Sequence, residues 1–169
     1  IIIIINETFK ESLMEFLCPN HRQQFAELPL EERKDLWLFW MENAQACSEQ
    51  GQWRDVISLS GSAFDLACLQ GPREESCMHI ELTLSAILVS RALSDRGDRA
   101  GMDAVILRAL ECLQHPDDQA SFEGCCDLHE CVAVLIDPSR HADFFADYLH
   151  WPSLPFVPRK RVTMVRTLH

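Results

Sequence analysis

Between Leu36 and Leu66 one apolar stripe ends at a glycine and a second begins two residues later, which restricts this part of the chain to a helical hairpin. Leu36, Trp37, Trp40, Ala44 and Cys47 recur at mostly three- and four-residue intervals, the spacing of one face of an amphipathic helix. Gly51 then stops the helix, because glycine enters the left-handed conformation that closes a helix without a Cβ clash. The stripe resumes on a new axis as Trp53, Val56, Ile57, Phe64 and Leu66. So short a joint makes the two helices antiparallel neighbours.

Within this stretch Trp40 stands four residues before the small Ala44, Cys47 follows on the same face, and Gly51 precedes the aromatic Trp53 by two positions. Val56 and Ala63 supply small residues to the second helix. This segment resembles a tetratricopeptide-type repeat, in which small residues let paired helices approach and large aromatics fill the gaps between pairs. Ser60 stands where that family usually has an aromatic, and Cys68 where a unit-ending proline is expected, the nearest being Pro72. Aligned on Gly97, a second unit puts Ala86, Ser90 and Leu93 at the places of Trp40, Ala44 and Cys47, with Ala109 and Leu110 matching Ala63 and Phe64. Gly51 and Gly97 are 46 positions apart. That exceeds the roughly 34-residue period of a regular array, so the insertion at 70–75 is expected to lengthen the connection between units.

The rest of the pattern is also helical. An apolar fraction of 47% argues against disorder, and six glycines without evenly spaced turn clusters argue against an all-β fold. Asn6 is expected to cap a helix carrying Phe9, Leu13, Phe16 and Leu17, which Pro19 would stop. Ile80, Leu84, Ile87 and Leu88 form one later stripe, and Val105, Ile106, Ala109, Leu110 and Leu113 the next. Leu128, Val132 and Leu135 continue it, and a short last helix carries Phe144, Phe145, Tyr148 and Leu149. The expected organisation is an unassigned or artificially derived run at 1–5, one all-helical domain over 6–150, and an extended basic tail over 151–169. No apolar run approaches the length of a membrane span, so the expected setting is soluble and cytoplasmic.

Charge divides along the same line. The net charge is -11, yet residues 159–169 hold four basic side chains and no acidic one, leaving 11 basic and 26 acidic over 1–158. An acidic body repels nucleic acid, and four tail cations make a small footprint for phosphates. Regulation through nucleic acid bound by that tail is the weaker alternative to docking of the tail on an acidic helix surface.

Eight cysteines raise the question of metal and redox chemistry. Cys47, Cys68 and Cys112 fall on or beside apolar stripes, where a thiol behaves as a small hydrophobe. A small zinc protein is the other alternative, with Cys18 and His21 completing a tetrahedral site with Cys125 and His129, which share a helix face one turn apart. Neither half has the paired Cys-x-x-Cys spacing of a zinc knuckle, so no metal or other cofactor is expected. Catalytic signatures are incomplete. His79-Ile80-Glu81 lacks the Pro-Cys-x-x-Cys partner of a zinc deaminase, His129-Glu130 lacks the second histidine of a zinc protease helix, and Gly61-Ser62 lies inside a helical pattern.

The expectation is therefore an all-α chain of stacked antiparallel helical hairpins, a solenoid or bundle, that is not an enzyme. It would act as an adaptor or chaperone holding a segment of another protein, with a second copy of the chain as a further possible partner. The resemblance implies that the first helix of each hairpin lines a concave groove, here through Leu38, Met41, Gln45 and Ser48 in the first unit and Leu84, Ile87 and Arg91 in the second. Met and Leu offer adaptable apolar contact, and Gln45 and Arg91 offer hydrogen bonds to a bound peptide.

Overall fold

Both glycine joints have the backbone that the sequence demands. Gly51 has φ 71° and Gly97 has φ 83° in the computed structural model, which describes residues 15–69, 78–114 and 128–155. At the first joint the Gln52 N–H reaches back to the Cys47 carbonyl (2.9 Å) and the Gly51 N–H to that of Ser48 (3.2 Å). At the second the Asp98 N–H bonds Leu93 (2.9 Å) and the Gly97 N–H bonds Ser94 (2.9 Å). These are two copies of the same helix-ending motif, in which a left-handed residue lets two amides satisfy carbonyls of the last turn. A Cβ at either glycine would meet open space, so any penalty on substitution comes from φ alone. Gly51→Val should cost about 1 kcal/mol or more, because a β-branched residue tolerates the left-handed region poorly. Urea unfolding measures it, and an unchanged midpoint would contradict the left-handed turn.

Among the described residues the fold is all-α, with seven α-helices and no strand. They are α1 (Pro19–Ala26), α2 (Leu30–Glu49), α3 (Trp53–Cys68), α4 (His79–Asp95), α5 (Arg99–Leu113), α6 (Leu128–Ile136) and α7 (His141–Leu149), with a 3₁₀ turn at Pro138–Arg140 before α7. Consecutive helices from α2 to α6 pack on one another, α2 also touches α4, and α4 touches α6 and α7. The joints meet at their tips: the Arg96 guanidinium lies 5.6 Å from the centroid of the Trp53 ring. Trp53 is therefore half-exposed and covered by a cation from the next hairpin, where the sequence suggested an aromatic filling an apolar gap.

The core is built around α4. Every residue from Leu82 to Ser90 is buried, so this helix has no solvent face over more than two turns. Its polar residues are accommodated by their own backbone: Thr83 donates to the His79 carbonyl (2.7 Å), Ser85 to that of Glu81 (2.7 Å) and Ser90 to that of Ile87 (3.0 Å). With their hydroxyls satisfied, Thr83, Ser85 and Ser90 join Ala86 as compact positions against which neighbours close.

Two boundaries differ from the sequence reading. Pro19 opens α1 instead of ending a helix: the first helical position needs no N–H, and the fixed φ of proline suits it. The helix expected to start at Asn6 lies mostly outside the described residues, while Phe16 and Leu17 are non-helical. At the other end the segment from Trp151 is not helical, but it does not leave the core at once. Trp151 and Leu154 are buried, with the Trp151 ring 5.1 Å from that of Phe145. The packed unit thus extends past residue 150, and residues 156–169, most of the expected tail, lie outside the described residues.

Candidate functional site

A polar cluster crosses the molecule where α3 faces α5. Asp65 sits on α3 inside the sequence Ala63-Phe64-Asp65-Leu66-Ala67, all five residues buried. A carboxylate so placed must have its oxygens satisfied. One oxygen accepts from the backbone N–H groups of Phe16 (2.6 Å) and Leu17 (2.7 Å). The other is bound by the Arg108 guanidinium from α5. Arg22 of α1 approaches to 3.7 Å and also pairs with Glu15 at 3.0 Å. The Arg108 cation lies 5.0 Å from the Phe64 ring centroid, so its flat face is covered as well. Gly61, one turn earlier, gives the Phe16 ring room to lie against the α3 backbone.

One turn further along the same two helices stand Cys68 and Cys112, hydrogen-bonded to each other, with the Cys68 thiol enclosed and Cys112 half-buried. Asp65 and Cys68 are three residues apart on α3, and Arg108 and Cys112 four apart on α5, so the ion pair and the thiol pair are successive rungs between the helices. Burial pushes the Cys68 thiol up, and so does its hydrogen bond to Cys112. The same hydrogen bond, accepted by Cys112, and the nearby Arg108 charge draw the Cys112 thiol down to about 7, against burial and the negative Glu111 and Asp65. The proton stays on Cys68, and Cys112 carries thiolate character near neutral pH. Sequence reasoning placed both cysteines on apolar stripes and missed their contact, which joins residues far apart in the chain.

The expected groove residues divide. Met41 is fully buried, Ile87 is also at 0% exposure and Leu84 at 1%, so these three are core residues and line no open groove. Met41 falls one turn after Trp37 and one before Ala44, on the buried face of α2, and α4 has no free face to lend. Arg91 is engaged elsewhere. Its Nε donates to His141 Nδ1 (3.2 Å) and its other nitrogen to the Pro138 carbonyl (3.2 Å), while His141 Nε2 donates to the Leu135 carbonyl (3.3 Å). Burial and the Arg91 charge push the His141 pKa down, which keeps the ring neutral and able to accept from Arg91. This arginine therefore fastens α4 to the turn before α7. Leu38, Gln45 and Ser48 do reach the surface of α2, although Ser48 spends its hydroxyl on the Gln45 carbonyl (2.6 Å).

The outward face of α2 lies opposite Trp37, Met41 and Ala44. It carries Glu31, Asp35, Leu38, Phe39, Glu42, Ala46 and Glu49, all exposed, with Phe39 at 61% and Leu38 at 39%. Of the candidate metal ligands, Cys18 and His21 pair at the start of α1, with Sγ 3.2 Å from Nδ1, and Cys18 also accepts from the His21 N–H to cap the helix. His129 is exposed on α6, and Cys125 lies outside the described residues. Among the described residues no group of three or more metal-binding side chains gathers, and no helix is long and apolar enough to cross a membrane. No family model matches this chain, nor does any curated protein or solved structure.

Proposed function

We propose that the chain is a non-enzymatic protein-binding module, an adaptor or chaperone built from stacked hairpins of tetratricopeptide type. The observation that carries this reading is the outward face of α2, where Leu38 and Phe39 are exposed among Glu31, Asp35, Glu42 and Glu49. Exposed Phe and Leu set in a ring of carboxylates suit a partner segment with apolar anchors flanked by Lys or Arg, the apolar contacts giving affinity and the charges orientation. Gln45 and Ser48 border this face and offer polar contact at its edge. Two repeated glycine-ended hairpins and the tip contact between Arg96 and Trp53 support the stacked arrangement.

The test is a comparison of the native chain with a Leu38→Lys/Phe39→Lys variant. Proteins captured from the source cells by each would be identified by mass spectrometry, and affinity then measured for the specific partner. Substitutions at exposed positions change stability by about 0.5 kcal/mol or less, so helicity and melting should be unaltered. Affinity should fall about tenfold or more, since aromatic anchors carry most of the energy of such contacts. Equal capture of the same partner by both chains would remove this face from the function.

A further inference from the structure

We propose that Cys68 and Cys112 are an oxidation-sensing pair, forming a reversible intramolecular disulfide between α3 and α5 when the protein meets a hydroperoxide. Four positional facts converge. The two thiols are in contact through a hydrogen bond, so no long excursion separates them. Cys112 is half-buried while the Cys68 thiol is enclosed, so Cys112 is the sulfur an oxidant meets first and Cys68 the one that resolves it. Arg108 stands one turn before Cys112 and is anchored by Asp65, so its charge stays beside the sulfur through the reaction. Cys68 is the last residue of α3, so a shift of its sulfur toward Cys112 disturbs no helical turn beyond it.

The chemistry balances with the oxidant alone. The Cys112 thiolate attacks the nearer peroxide oxygen, the O–O bond breaks, and the departing hydroxide or alkoxide takes up a proton to leave as water or alcohol. Cys112 is then a sulfenic acid. The Cys68 sulfur attacks that sulfur, an S–S bond forms, the S–O bond breaks, and the hydroxide leaves as water with the proton from Cys68. Two thiols lose two electrons in total, and one hydroperoxide is reduced. A dithiol reductant returns both thiols. The groups whose charge or hydrogen bonding acts on the reacting sulfur are Cys68 and Asp65 from α3 and Arg108 and Glu111 from α5. Arginine assists twice, by favouring the thiolate and by drawing the negative charge that develops on the leaving oxygen.

The full chain, reduced and then treated with a slight excess of hydrogen peroxide, should lose two of its eight thiols to a thiol reagent in denaturant. Non-reducing peptide mapping should recover residues 68 and 112 in one cross-linked species, and dithiothreitol should restore all eight thiols. Cys68→Ser should leave Cys112 as a sulfenic acid trapped by dimedone, and iodoacetamide labelling of Cys112 in the untreated chain should be half-maximal near pH 7. Eight free thiols after peroxide, a cross-link mapped to any other pair, or Cys112 driven to sulfinic acid without a cross-link would each overturn the assignment. The peptide map uses the unsubstituted protein, so it decides the question whether or not the serine variant folds.

Discussion

Met41→Glu should unfold the protein or bring it to the edge of unfolding. Met41 has no exposed surface, packed on the α2 face that also holds Trp37 and Ala44. A glutamate there must either carry an unpaired charge into the core or take up a proton and still bury an unsatisfied carboxyl. Loss of the methionine packing adds to this, and together the two effects should cost about 4 kcal/mol or more. A domain of this size has about 5–15 kcal/mol to lose, so the folded population should fall visibly at 37 °C. Thermal melting followed by circular dichroism gives the answer. A melting temperature within a degree or two of the native chain would mean that Met41 faces solvent, and would revive the groove that the sequence suggested. Phe39→Glu, one face away on the same helix, is the matched control and should leave melting almost unchanged.

The second large effect is expected at Asp65. Asp65→Ala removes the acceptor for two backbone N–H groups and the counter-charge of Arg108, whose side chain is only 18% exposed. Removing one partner of a buried ion pair costs about 3–5 kcal/mol, because the remaining charge is left without compensation. Asp65→Asn keeps the shape and one acceptor oxygen and should cost less, which separates the lost charge from the lost volume. Urea titrations of both variants measure the difference. If Asp65→Ala unfolds within about 1 kcal/mol of the native chain, the carboxylate is not what secures residues 15–17 to the domain.

These two residues also mark where sequence reading succeeds and where it stops. The joints at Gly51 and Gly97 were legible because one residue type answers one backbone requirement, and each is followed by a fresh apolar period. The helices themselves follow from that period. Rotation about a helix axis is harder to fix: with Trp37, Trp40, Met41 and Ala44 all apolar on one helix, the stripe spans too wide an arc to say which side is innermost. Burial of α4 on every face was foreshadowed by apolar or small residues all round from Leu82 to Ser90, and that signal should have withdrawn Leu84 and Ile87 from any open surface. Asp65 could have been suspected from its four apolar or small flanking neighbours, but its partners could not, since Phe16, Leu17 and Arg108 are brought to it only by tertiary packing. The Cys68 and Cys112 contact is of the same non-local kind. Pro19 was misleading for a local reason: proline ends a helix from inside it and begins one from its first turn, and the residues before it favoured the wrong choice.

The enclosure of α4 has a consequence for how the chain comes into being. Synthesis proceeds from the N-terminus, so α2 and α3 can pair as soon as they emerge, and α4 then covers the face they leave open. The opposite side of α4 waits for α5, α6 and α7, which are made afterwards. Until they arrive a helix that the finished fold buries on every side stands with half its surface in water, the kind of exposure that draws nascent chains into aggregates or onto general folding helpers. A chain cut short after α4 would be left permanently in that condition. The hairpins α2–α3 and α4–α5 repeat each other in backbone, but the second cannot be the last element of any shortened version of this protein.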